Sequence, residues 1–106
     1  MTPLAWLVFF AAALLEVGGD AAIWRGLRAK VSSLVVAGFI GLGCYGLLVN
    51  SMKWDFSKLL GVYVGFFALV SVLCGRFLFR ENISPSTWFG LALIMAGALL
   101  IQLGNR

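Results

Sequence analysis

Four apolar stretches, each about 20 residues long, take up most of this chain, and the gaps between them are too short to hold a domain. They run over about 3–24, 31–51, 58–79 and 84–103. A helix of about 20 apolar residues spans about 30 Å of hydrocarbon. Inside that hydrocarbon every backbone N–H and C=O needs a partner, which leaves helices or a closed barrel. The alternation of polar and apolar residues that barrel strands carry is not seen. The expectation is an all-α membrane protein with four transmembrane helices, residues 1–106 forming a single domain.

Composition closes the soluble route. The chain is 62% hydrophobic and 11% charged, whereas a soluble domain is about half apolar and a quarter charged. A domain of this size has too little interior to hide that excess. The first stretch lacks a basic leader and contains two acids, so it is expected to be a retained helix rather than a cleaved signal. A multi-pass protein of the cell (inner) membrane is the expected setting.

The net charge is +4, but the basic residues sit singly between apolar stretches. That suits anionic headgroups and orientation, not nucleic acid. Arg25, Arg28, Lys30, Arg76 and Arg80 fall on one side of the membrane. Lys53, Lys58, Arg106 and the α-amino group fall on the other, so the orientation bias is slight. There is no histidine. Cys44 and Cys74 lie within spans and read as small packing residues. No metal and no cofactor is expected. No nucleophile set, metal cluster or phosphate loop is present, so an enzyme is not expected.

The feature that asks for a function is a pair of acids inside the first stretch. Glu16 and Asp20 are four residues apart and share a helix face. Apolar residues flank them on both sides, which favours a place at depth over one in water. A carboxylate at depth is costly and marks a working site by default. Such a group holds a proton or, once ionised, attracts a cation. One site that takes either is the minimum for antiport, provided it opens to each side in turn.

Several residues are candidate companions. Tyr63 and Tyr45 lie within spans, where each either packs or offers a ring face to a cation. Asn50 either adds a polar contact or caps its own helix. Asp20 is either a functional partner of Glu16 or a structural residue paired with Arg25, five residues on. Trp6, Trp24, Trp54 and Trp88 fall near span ends, as an interfacial belt has them. Trp6 and Trp24 are also placed to wall a cavity. Ser84 and Pro85 read as the N-cap and first residue of the last helix.

Small residues mark contact faces in lipid, where helices associate by close packing. Gly61 and Gly65 form one small-xxx-small pair. Gly90, Gly97 and Gly104 recur every seven residues along the last helix, a seam for packing within the chain or between copies. Four helices make a small bundle with little room for a solute path, so a homodimer is expected.

The run Glu16-Val17-Gly18-Gly19-Asp20-Ala21-Ala22-Ile23-Trp24 resembles the E-[IV]-G-G-C-Y-x-x-W stretch of the YnfA-like family. That family belongs to the small multidrug resistance branch of the drug/metabolite transporters. Phe56 to Gly75, with Tyr63 and Gly65, is similar to the family's third helix. Trp88-Phe89-Gly90 and Ala96-Gly97 are similar to its fourth. The resemblance implies a four-helix subunit in an antiparallel dimer. It implies that Glu16 matches the embedded glutamate used for proton and substrate, and Tyr63 the aromatic residue lining the pocket. The chain departs from the pattern at Asp20, which replaces an uncharged position. It departs again at Leu60 and Phe67, which stand where the family usually has tyrosine.

The resulting expectation is a proton-coupled antiporter exporting small organic cations, its partners being a second copy, membrane lipids, protons and the cation. The alternatives are a flippase or carrier for a polar-headed lipid or metabolite, and a non-transporting membrane scaffold subunit.

Overall fold

The computed structural model describes residues 2–104. Met1, with the α-amino group, and Arg106, both counted in the orientation argument, lie outside the described residues. The chain forms α1 (Pro3–Ala29), α2 (Ser32–Asn50), α3 (Phe56–Phe77) and α4 (Pro85–Leu103). All four are long and apolar enough to cross a membrane. They match the four expected spans, with one marked difference. α1 continues for five residues past Trp24, to Ala29. Arginine is a good helix former and a cation suits a helix C-terminus, so the helix runs on through Arg25, and Arg28 lies in its last turn.

The helix ends explain why the chain breaks where it does. At the start of α1 the Thr2 hydroxyl accepts a hydrogen bond from the Ala5 N–H at 3.1 Å, and Pro3 follows. Its far end closes with Lys30 in the left-handed conformation (φ 58°), its N–H bonded to the Gly26 carbonyl. The Val31 N–H reaches the same oxygen at 2.9 Å. α2 ends with the Ser51 hydroxyl donating to the Leu48 carbonyl. α4 begins as expected: Ser84 accepts from the Thr87 N–H and Pro85 is the first helical residue. Arg80 is left-handed (φ 56°) in the turn before it.

The chain divides into two compact units, Thr2–Met52 and the residues from Lys53 onward. The first is the α1–α2 hairpin. Ala5, Phe9, Ala12, Ala13, Val17 and Gly19 of α1 are buried, as are Gly38 and Val49 of α2. The two helices run antiparallel and touch backbone to backbone. A methyl added to Gly19 would lie 2.9 Å from the Gly38 carbonyl oxygen, and one on Gly38 would lie 2.6 Å from the Gly19 oxygen. Two turns towards the loop, Gly26 is closed in by Val35, a methyl there lying 2.8 Å from its side chain and 2.9 Å from its backbone nitrogen.

The second unit is the α3–α4 hairpin. Its buried residues include Leu59, Val62, Tyr63, Gly65, Ala68 and Val70 on α3 and Leu91 on α4. Gly61 faces Ile101 and Gly65 faces Ala98, so this small-xxx-small pair is spent on packing within the chain. The α4 seam behaves otherwise. Nothing lies within 4 Å of a methyl placed on Gly90 or Gly97, and one on Gly104 meets only the Leu100 carbonyl of its own helix. Large apolar side chains such as Leu47, Phe39, Leu100 and Phe89 are exposed, as a lipid-facing surface requires.

Candidate functional site

Glu16 is the central residue of α1, with thirteen helical residues before it and thirteen after. At 1.5 Å per residue that puts about 20 Å of helix on either side. Ala5, Phe9, Ala12, Ala13 and Gly19 stand eleven, seven, four and three residues before it and three after, all buried. Those offsets place Glu16 in the middle of the buried face of α1. The side chain itself is part-buried.

Asp20 is one turn further on and exposed. Among the described residues it makes no ion pair with Arg25, which is exposed as well. Arg28 is engaged elsewhere. Its guanidinium sits 4.1 Å from the centre of the Trp24 ring and donates to the Trp24 carbonyl at 3.1 Å. Both the stacking and the cation at the C-terminal turn favour that place.

Tyr45 comes to the two acids from α2. Gly38, Gly41 and Tyr45 follow at spacings of three and four, on one face of that helix. A methyl on Gly41 would lie 3.5 Å from the Gly19 Cα and 3.6 Å from the Leu15 carbonyl oxygen, so this face meets α1. Tyr45 is one turn beyond, where the antiparallel run brings it abreast of the Ala12–Glu16 turn. Its phenol lies within reach of the charges of both Glu16 and Asp20. The first unit thus carries three of the expected site residues, spread over about one helical turn.

The remaining two behave differently. Asn50 sits at the end of α2, where its side-chain amide donates to the Gly46 carbonyl at 2.9 Å. Tyr63 belongs to the second unit, is 3% exposed, and has the Phe67 ring 6.5 Å away. Trp6 and Trp24 are exposed near opposite ends of α1. Cys44 and Cys74 are free thiols. No group of three metal-ligating side chains occurs among the described residues.

The sequence did not reveal the glycine crossing beside the acids. Gly19 lies between Glu16 and Asp20 and is the point where α1 touches Gly38. The doublet Gly18-Gly19 carried a hint, because a glycine next to a membrane acid suggests close approach. Only Gly19 uses it: a methyl on Gly18 would meet nothing within 4 Å.

The model of the family described as an uncharacterised one, YnfA/UPF0060, matches residues 4–106. A UPF0060 membrane protein of Pseudomonas fluorescens is 35% identical, covering 97% of this chain and 96% of the relative. One of Mycolicibacterium vanbaalenii is 36% identical, covering 94% of each. The UPF0060 membrane protein YfjF of Bacillus subtilis is 31% identical, again covering 94% of each. No solved structure matches.

Proposed function

The chain belongs to the YnfA/UPF0060 family of membrane proteins, and we propose that its chemistry lies inside the bilayer, where it works as a proton-coupled antiporter that exports small organic cations. The observation that carries this reading is the place of Glu16, midway along a membrane-spanning helix and at the centre of its buried face. A carboxyl there serves as the shared site for proton and cation. Cation binding expels the proton, and proton binding releases the cation. Asp20 and Tyr45 shape the same site from one turn away and from the facing helix.

The working unit in this reading is an antiparallel homodimer in the inner cell membrane. Support comes from α4, where only Leu91 is buried and the Gly90 and Gly97 positions stand open. A smooth helix face of that kind is what close helix association in lipid uses.

Proton release from the detergent-purified protein tests the reading. Guanidinium, tetraethylammonium and tetraphenylphosphonium are titrated in weakly buffered solution with a pH-sensitive dye. The wild type is expected to release protons to at least one of them, and Glu16→Gln to none while keeping its oligomeric size. Release from none of the three, or release that survives Glu16→Gln, overturns the proposal.

A further inference from the structure

We propose that Gly19 and Gly38 are positioning residues, whose backbone crossing sets how near Tyr45 comes to Glu16 and Asp20. The inference rests on the reading of those acids as the working site, and it adds what holds the site together.

The argument is geometric. α1 and α2 meet along Gly26·Val35, Gly19·Gly38 and Gly41·Leu15. Moving along α2 towards its C-terminus moves the contact back along α1, so the next turn of α2, which carries Tyr45, lies beside the turn that carries Glu16. The tightest of these contacts is the glycine pair. A methyl on Gly38 meets the Gly19 carbonyl oxygen at 2.6 Å, as well as Ile23. The obstacle at Gly19 is backbone, which cannot swing aside as a side chain does. A methyl therefore drives the two helices apart at a point seven residues before Tyr45 on the same helix face. A rigid helix carries that displacement to the phenol. The crossing also lies between the acids, since Gly19 is three residues after Glu16 and one before Asp20. The open glycines of α2 do not share this role: nothing lies within 4 Å of a methyl on Gly43 or Gly46.

The test reads the coupling between Tyr45 and the acids without any substrate. The chain has two tyrosines, so Tyr63→Phe leaves Tyr45 as the sole source of tyrosinate absorbance. In that background the absorbance is titrated with pH, with and without Glu16→Gln and Asp20→Asn together. Neutralising both acids is expected to move the midpoint by about half a pH unit, a shift suited to nearby charges in a partly wet medium. With Gly38→Ala the same neutralisation is expected to move it by less than half as much. Gly43→Ala is expected to keep the full shift. Should Gly38→Ala fail to fold, Gly19→Ala is the milder variant, because its methyl meets Gly38 at 2.9 Å. An undiminished shift in the folded glycine variant, or no shift in the parent, overturns the proposal. A protein that shows the coupling yet releases no proton to any cation leaves the positioning intact and removes the antiport reading instead.

Discussion

Gly65 of α3 and Ala98 of α4 approach so closely that a methyl on Gly65 would lie 2.8 Å from the methyl of Ala98. In lipid, helices gain little from escaping solvent, so such contacts are where their association energy resides. Overpacking a close contact costs about 1–3 kcal/mol. Gly65→Val is expected to destabilise the protein by that amount in denaturant titration of the detergent-solubilised form. Ala98→Gly should recover part of the loss. Gly97→Ala, at an open position, is expected to change monomer stability by less than about 0.5 kcal/mol. Equal losses at Gly65 and Gly97 would show that the contact pattern is misplaced.

Lys30 ends α1 with φ at 58°, a region that glycine enters freely and a side chain does not. Lys30→Gly is expected to raise stability by about 0.5–1 kcal/mol, seen as a higher thermal midpoint in detergent. Lys30→Ala keeps the strain and is expected to leave the midpoint near that of the wild type.

Ser84 caps α4 through the Thr87 N–H. Ser84→Ala is expected to cost about 0.5–2 kcal/mol, and Ser84→Asp to cost little, because either oxygen can accept that bond. The thermal midpoints of the two variants provide the check.

The antiport reading fixes a pH slope. If one carboxyl per site exchanges a proton for a cation, apparent affinity for tetraphenylphosphonium falls about tenfold for each unit of acidification below the site's titration. Glu16 is the exchanging group in this reading, so Asp20→Asn is expected to keep the slope while weakening affinity about tenfold. A slope near a hundredfold per unit that drops to tenfold in Asp20→Asn would assign a transported proton to Asp20 as well. Equilibrium binding across a pH series decides between them.

Much of the fold was legible because the bilayer imposes a length on each helix and tolerates few irregularities. Ser84-Pro85 marked its helix start to the residue. Glu16 stood out because a carboxylate among leucines, valines and alanines has few structural excuses. Trp24 misled as a boundary, since an interfacial tryptophan marks a depth in the membrane rather than the end of hydrogen bonding. The Gly19·Gly38 crossing was hidden for another reason. Glycine spacing tells which face is smooth, but which smooth faces meet depends on the register of two helices, and that is a property of the hairpin. The same limit left Gly61 and Gly65 indistinguishable from Gly90 and Gly97, although the first pair packs inside the chain and the second stands open.

The equal lengths of α1 on either side of Glu16 have an electrical consequence. A charge drawn to that residue from either face traverses half of the membrane voltage when the helix crosses symmetrically. At 100 mV the full drop is worth about 2.3 kcal/mol per elementary charge, so each half-journey carries about 1.2. Loading and discharge would then share the driving voltage evenly, and neither leg would bear the whole electrical load.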